Sequence, residues 1–157
     1  MESKELKNII PIQSIWEDLA LLEDRLNEVS SSSDPYLTDI SQYLISAGGK
    51  RFRPLIALLA GKLGEGDNSK VIDAGVSVEL IHLGSLYHDD VIDDATTRRG
   101  VVSTNKQWNS TLAILAGDYL LARSSELAAE SLGLESVKLL ASTYAQLVEG
   151  QTKEVQF

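Results

Sequence analysis

Apolar residues recur along most of this chain at α-helical spacing, and no stretch alternates apolar and polar residues as a half-buried strand would. The clearest case is residues 13–29, where one helical face carries Ile15, Leu19, Leu22, Leu26 and Val29. Only three prolines occur, at positions 11, 35 and 54, and each lies where a helix can begin. The pattern therefore predicts an all-α fold, built as an antiparallel helix bundle.

Capping residues and glycines set the expected ends of these helices. Asp34 is a typical N-cap before Pro35, and Gly48-Gly49 should stop that helix after Ala47. Residues 96–100 form a polar break. We expect further helices over residues 54–64, 69–95, 103–108, 110–130 and from 135 to the end. Because the last pattern reaches Phe157 without a C-cap signal, we expect residues 1–157 to be the N-terminal part of a single, apparently truncated domain.

Charge and composition argue against several classes of protein. The 157 residues include 23 acidic and 14 basic side chains, a formal net charge of -9. A general nucleic-acid binder needs a basic face, as does a protein that docks on anionic membranes. There is no cysteine, no apolar run of 18 residues and no apolar core of a signal peptide near the N-terminus. We therefore expect a cytoplasmic protein with no transmembrane segment and no nucleic-acid partner.

Four carboxylates follow His88 within six positions, namely Asp89, Asp90, Asp93 and Asp94. On a helix, Asp89 and Asp93 would lie on one face about 6 Å apart, where like charges repel. A divalent cation would relieve that repulsion, and Mg²⁺ typically binds one or two carboxylates together with substrate phosphates. The alternative is a solvated acidic helix end, although acids at a C-terminus oppose the helix dipole.

Basic residues occur on both sides of this acidic run. Lys50, Arg51 and Arg53 precede it, Arg98 and Arg99 follow it, and a histidine, His82, lies two helical turns before Asp89. Cations opposite a metal-bound acid pair would grip a diphosphate group. Each piece also has a plain alternative, namely solvated charge for the lysine and arginines and a hydrogen-bonded core residue for the histidine.

Four segments, in this order and spacing, resemble the polyprenyl synthetase family of trans-isoprenyl diphosphate synthases. They are residues 48–54 (GGKRFRP), 89–93 (DDVID), 98–100 (RRG) and 115–121 (LAGDYLL). The resemblance covers residues 37–157. Two departures are mild: Val102 stands where the family usually has proline, and residues 108–110 read WNS instead of a common WGN. The family's second aspartate-rich motif and a later substrate-binding lysine do not occur in this chain.

The resemblance implies a helix bundle of the isoprenoid synthase type and a role for each matching residue. Such an enzyme condenses isopentenyl diphosphate with an allylic diphosphate and requires Mg²⁺. The family pattern assigns the metal to Asp89 and Asp93, with Asp90 in support, and the allylic diphosphate to Arg98. It assigns the diphosphate of isopentenyl diphosphate to Lys50, Arg53, His82 and Arg99. Gln151 corresponds to a polar residue at the site on a later helix. With half of the family's site missing, we expect the chain alone to be inactive.

Product length in this family depends on residues four and five positions before the first aspartate motif. Here these are Ser85 and Gly84, both small. An open channel at this point predicts a geranylgeranyl or longer all-trans product. The alternative is that small residues serve close helix packing.

Two other functions and one assembly follow as further expectations. The chain could be a non-catalytic or partial subunit of a two-component synthase, although the complete DDVID and RRG segments argue against a purely regulatory chain. An unrelated magnesium-dependent hydrolase is disfavoured by the GGKRFRP segment and His82. By resemblance we also expect a homodimer, with residues 110–130 as a candidate interface.

Overall fold

The computed structural model describes residues 3–157, and within that range the chain folds into helices joined by short connections. The helices are α1 (Ser3–Ile9), α2 (Gln13–Ser30), α3 (Pro35–Ser46), α4 (Phe52–Gly61), α5 (Asn68–Ile92), α6 (Thr104–Gln107), α7 (Ser110–Leu127) and α8 (Leu134–Gln156). A short hairpin pairs β1 (Thr97–Arg98) with β2 (Val101–Val102), and a π-helical turn (Ala128–Leu132) follows α7. The predicted all-α fold is confirmed.

Several predicted boundaries need correction. Helix α1 was not expected, and α4 begins at Phe52 and ends at Gly61 rather than spanning 54–64. Helix α5 ends at Ile92 rather than near residue 95, because Asp93 is its C-cap and Asp94 adopts a left-handed conformation with φ 50°. Aspartate disfavours helix interiors. Contrary to the expectation from sequence, the four carboxylates therefore do not share one helix. Asp89 and Asp90 lie on α5, whereas Asp93 and Asp94 follow its last residue.

The hairpin between α5 and α6 was read from sequence only as a polar break. Its two turn residues, Arg99 and Gly100, both have positive φ, 53° and 78°. Positive φ at both central residues is what a two-residue type I′ hairpin requires. The turn pairs Arg98 with Val101, so the strand fixes the direction of the Arg98 side chain.

Helix α5 is the centre of the molecule, with α7, α4 and α2 packed around it. Its buried apolar side chains include Val76, Leu80 and Leu83, and each such side chain contributes about 1.5–3 kcal/mol on burial. The buried hydroxyl of Tyr87 donates to the carbonyl of Ile40 at 2.6 Å, which ties α5 to α3. This packing holds the polar end of α5 on a rigid base.

Helix α8 differs from the other long helices because none of its residues is buried. Leu139 and Val155 are 68% and 70% exposed. It leaves one side of α5 open, and the gap between the two helices is the cavity described below. No helix in residues 3–157 is long and apolar enough to cross a membrane. The cytoplasmic location stays a prediction.

Candidate diphosphate and metal site

Two of the carboxylates at the end of α5 point in different directions. Asp90 is 1% exposed and accepts two hydrogen bonds at its Oδ1 from Arg98, from Nη2 at 2.6 Å and from Nε at 3.1 Å. Asp89 is half-buried, on the side of the helix that faces α8. Asp90 therefore orients Arg98, while Asp89 remains open to a ligand.

The acidic pair, Asp89 and Asp93, forms no ion pair within residues 3–157. Burial raises the pKa of Asp89, the neighbouring charge of Asp93 raises it further, and Arg98 opposes the rise. Asp94 is turned away, 83% exposed, and forms an ion pair with Lys106 at 2.7 Å. Within the described residues no group of three or more acidic or histidine side chains could hold a metal. Two hard oxygen ligands without a third suit a Mg²⁺ ion that is also bound by phosphates.

A strained turn shapes the basic side of the site. Gly48 and Gly49 have φ 91° and 143°, and Arg51, which precedes α4, has φ 51°. A left-handed conformation costs a non-glycine residue about 1–2 kcal/mol. A Cβ on Gly49 would lie 3.0 Å from the Arg99 Cζ and 3.1 Å from the Arg51 Nη1. The glycine thus lets two guanidinium groups pack against the backbone.

Arg51 and Arg99 flank the buried carboxylate of Glu79. Glu79 Oε1 lies 3.5 Å from Arg51 Nη1 and 3.9 Å from Arg99 Nη2. Arg51 also binds Glu23 on α2, and Arg99 Nη1 donates to the backbone carbonyls of Leu44 and Gly48. We expected Arg99 to face a diphosphate. The Nη1 group of its guanidinium instead holds the turn at Gly48.

Arg53 and His82 meet at the surface of this region, with Arg53 Nη1 3.3 Å from His82 Nε2. Burial lowers the pKa of His82 to about 4, and the positive charges of Arg53, Arg99, Arg98 and Arg51 act in the same direction. The imidazole is therefore neutral near pH 7. We call Lys50, Arg51, Arg53, His82 and Arg99 the basic cluster. His82 precedes Asp89 by seven residues, or about 10 Å along α5.

An apolar cavity of about 770 Å³ opens between α5 and α8 beside Asp89. We call it the tail cavity. Ser85, His88 and Asp89 line it from α5, and Tyr144 and Gln151 line it from α8. Gln151 is thus brought to the same cavity as Asp89, as the resemblance implied.

Gly84, the other expected length-determining residue, does not line the tail cavity. It faces α7, where an added Cβ would lie 2.9 Å from the Gly117 carbonyl oxygen. The contact supports the helix-packing alternative at this position, because only a missing side chain lets the two backbones approach so closely. Ser85 remains the one of the two at the cavity.

Sequence reasoning missed the buried support of the site. Arg51 was noted as basic but given no role, and its partners Glu23 and Glu79 each lie 28 residues away along the chain. Tyr144 was also missed; burial raises its pKa, with Asp118 and Asp89 adding to the rise. The pairing of an acid with a distant arginine leaves no local spacing signal. The one local signal for Glu79 was its charge within an otherwise apolar stretch of α5.

Comparison with known proteins gives a consistent picture. Residues 34–157 match the family model for polyprenyl synthetase. The chain is 47% identical over 139 residues to a nonaprenyl diphosphate synthase from Mycobacterium tuberculosis, covering 88% of this chain and 41% of that protein. It is 39% identical to heptaprenyl diphosphate synthase component 2 from Geobacillus stearothermophilus, covering 89% of this chain and 44% of that protein. The chain thus spans less than half the length of these relatives.

A solved structure shares the fold. The polyprenyl synthase of Caulobacter crescentus, crystallised with calcium and isoprenyl diphosphate, superposes with a TM-score of 0.85 at 30% sequence identity. The match covers 96% of this chain and 44% of that chain. The helical fold is that of the isoprenoid synthases, and the chain belongs to the polyprenyl synthetase family.

Proposed function

We propose that this chain supplies one wall of a prenyl-transfer site that condenses isopentenyl diphosphate with an allylic diphosphate. One observation carries the proposal. Asp89 of the acidic pair lines an apolar cavity, and the cations Arg51, Arg53, Arg98 and Arg99 lie near His82, which precedes Asp89 by two turns on α5. This arrangement offers places for two diphosphates and one hydrocarbon tail.

The acidic pair fits a Mg²⁺ ion. Asp89 and Asp93 offer hard oxygen ligands whose mutual repulsion a divalent cation would relieve. A bound Mg²⁺ would stabilise the negative charge that develops on a leaving diphosphate. The relative from Caulobacter crescentus was crystallised with calcium, another divalent cation with oxygen ligands.

Arg98 acts on the same leaving group. Its bidentate contact with the buried Asp90 fixes the guanidinium, while about a third of the side chain stays exposed. A fixed cation stabilises developing charge without having to reorganise. Asp90 in this role is a positioning residue for Arg98.

The basic cluster holds the diphosphate of isopentenyl diphosphate. Lys50 is exposed and forms no ion pair or hydrogen bond within residues 3–157, so it is free to bind an anion. Arg53, three residues further along the chain, contacts the neutral His82, and Arg99 packs behind the turn at Gly48. A neutral imidazole can donate one hydrogen bond to a phosphate oxygen.

The reaction needs no nucleophilic side chain. The C–O bond of the allylic diphosphate breaks, and its electron pair leaves with the diphosphate. The double bond of isopentenyl diphosphate attacks the allylic cation to form a new C–C bond. The released diphosphate accepts the proton lost in the final step. The residues of this chain bind, orient and stabilise charge throughout.

The tail cavity takes the growing prenyl chain and favours a geranylgeranyl or longer product. Ser85 is the small residue at its α5 wall, and Leu147 and Val148 provide apolar surface on α8. Gln151, at the same cavity, offers a polar contact near Asp89. Relatives named for heptaprenyl, octaprenyl and nonaprenyl products agree with long chains.

A second function keeps the same site in a different assembly. Two relatives are named component 2 of heptaprenyl diphosphate synthase, which favours a chain that works with a partner protein. A partial or non-catalytic subunit of a two-component synthase is therefore the alternative. A homodimer stays our expectation for the chain by itself, and analytical ultracentrifugation measures it.

Differential scanning fluorimetry with farnesyl thiodiphosphate, an allylic analogue that ionises slowly, tests the main proposal. We expect the analogue to raise the Tm only when Mg²⁺ is present, and Asp89→Asn to abolish the rise. Equal stabilisation without Mg²⁺, or in the variant, contradicts the proposal. Incorporation of radiolabelled isopentenyl diphosphate then separates a complete enzyme from a partial subunit.

A further inference from the structure

Glu79 is the most deeply buried acid beneath the basic cluster. It lies on α5, one turn before His82, and only 2% of the residue is exposed. Burial raises the pKa of Glu79, and the guanidinium groups of Arg51, Arg99 and Arg53 oppose the rise. A buried carboxylate is expensive unless it is paired. An apolar side chain would fill this space at lower cost, so the charge calls for an explanation.

Two arginines converge on this carboxylate. Arg51 has a second acid, Glu23, but among residues 3–157 Arg99 has no carboxylate partner except Glu79. Glu79 is therefore the group that neutralises Arg99 inside the molecule. Its negative charge also offsets the repulsion between the two guanidinium groups, which lie close enough to share the Gly48 carbonyl.

Both arginines in turn hold the backbone turn at Gly48 and Gly49, which we call the glycine turn. Arg51 Nη1 and Arg99 Nη1 each donate to the carbonyl oxygen of Gly48, and both guanidinium groups pack against Gly49. The next residue is Lys50, and Arg53 follows within the first turn of α4. The position of these two exposed cations thus depends on the pair of arginines behind them.

We infer that Glu79 is a positioning residue, which anchors Arg51 and Arg99 so that the turn presents Lys50 and Arg53 to the second diphosphate. The inference rests on the proposed function, because it concerns the same diphosphate subsite. Glu79 touches no substrate in this account. It acts through the two arginines and the Gly48 carbonyl.

Charge and positioning predict opposite results when Glu79 becomes neutral. Removing a negative charge near an anion site strengthens its positive field and, by itself, tightens the binding of an anion. Loss of the anchor loosens the turn and weakens binding. The direction of the change therefore separates the two roles.

Isothermal titration of the full chain with inorganic pyrophosphate, without divalent metal, measures this subsite. Without a cation the acidic pair repels the probe, so the signal reports the basic cluster. We expect Glu79→Gln to weaken binding about tenfold, the scale of one lost charge-assisted contact. Glu79→Asp, which keeps the charge but is one methylene shorter, should lose less.

Asp73→Asn provides the matched control. Asp73 is another buried acid on α5, paired with Arg25 at 2.9 Å, and it lies outside the site. We expect both Asp73→Asn and Glu79→Gln to lower the Tm, but only Glu79→Gln to lower pyrophosphate affinity. This split distinguishes a positioning role from general support of the fold.

Unchanged or tighter binding by Glu79→Gln overturns the inference. If that variant does not fold, Glu79→Asp decides the question, with weakened binding in support and wild-type binding against. If the unmodified chain binds no pyrophosphate, the diphosphate subsite in the proposed function is wrong, and the inference falls with it.

Discussion

The basic cluster meets α5 at His82, two turns before Asp89 of the acidic pair, yet the two regions are built in opposite ways. The basic cluster is assembled in advance, because Glu79, Glu23 and the Gly48 carbonyl fix Arg51 and Arg99. The acidic pair has no such support, and Asp89 carries a raised pKa beside an open cavity. Under the proposed function, the first region would be ready for its anion, while the second would need a cation and substrate to complete it.

The largest expected effect comes from Gly49→Ala, which breaks the preassembled side. The residue has φ 143°, and its new Cβ would lie 3.0 Å from the Arg99 Cζ. We expect a loss of about 2–3 kcal/mol of stability from the strained conformation and the clash. Pyrophosphate binding should fall below detection by isothermal titration. Gly150→Ala, on α8 with open space around it, is the control: it should leave pyrophosphate binding unchanged and raise stability by up to about 1 kcal/mol, because alanine favours a helix over glycine.

Asp89→Asn should break the open side without harming the fold. We expect Mg²⁺-dependent binding of farnesyl thiodiphosphate to fall about 100-fold, as for loss of a metal contact. In the absence of metal the variant should be more stable by about 0.2–0.5 kcal/mol, because a like-charge pair is removed. Urea unfolding measures the stability, and pyrophosphate affinity without metal should stay unchanged. A less stable metal-free variant would contradict this account of the pair.

Asp90→Asn tests whether the middle aspartate belongs with the supported or the open region. Its carboxylate is buried against Arg98, so removing the charge should destabilise the chain by about 1–3 kcal/mol. Asp94→Asn serves as the control, since its exposed ion pair with Lys106 should contribute less than about 0.5 kcal/mol. If chemical denaturation gives equal losses of stability for the two variants, the Asp90–Arg98 pair contributes no more than the exposed Asp94–Lys106 pair.

The pH dependence of stability tests how strongly the basic cluster disfavours a charged His82. Its pKa is lowered to about 4 in the folded chain, below the ordinary 6.5. The unfolded chain therefore binds the proton first, so stability is full above pH 6.5 and falls as the pH drops towards 4. We expect this histidine to account for at most about 2 kcal/mol of that fall, after allowance for solvent screening. His82→Gln should flatten the curve between pH 6.5 and 4, and an unchanged curve would show that other groups cause the decline.

The smallest expected effect is on tail length. Ser85→Phe narrows the tail cavity and should weaken farnesyl thiodiphosphate relative to its geranyl analogue by less than about tenfold, the scale of a few methylene groups. Ser142→Phe, on an exposed position of α8, is the matched control. Gly84→Phe should instead lower the Tm, because it meets the backbone of α7. If wild type and Ser85→Phe show the same preference between the farnesyl and geranyl analogues, Ser85 does not limit the tail cavity.

How much the sequence could predict depends on the range of the interactions. Asp34 was predicted as an N-cap, and its side chain accepts from the Tyr36 amide at 2.9 Å, because capping is a contact between near neighbours. The helix periods along α2 and α5 were equally local. Roles assigned by family resemblance still stand as proposals, since no ligand contact tests them.

The missed features depend on distant residues or on backbone conformation. Glu79 and Glu23 each reach Arg51 across 28 positions, which no spacing rule encodes. The small size of Gly84 predicted an open channel beside it, but the residue packs against α7 inside the bundle. The polar break before Gly100 became a hairpin through two left-handed residues, one of them an arginine, which turn propensities disfavour.

The central claim is that Asp89 and Asp93 share a divalent cation with a diphosphate. A crystal of the chain grown with Mn²⁺ and farnesyl thiodiphosphate tests it directly, because Mn²⁺ scatters anomalously and accepts the same hard oxygen ligands. We predict an anomalous peak about 2.0–2.3 Å from a carboxylate oxygen of each aspartate and from a phosphate oxygen. A peak elsewhere, or both carboxylates in solvent beside a bound analogue, would contradict the account.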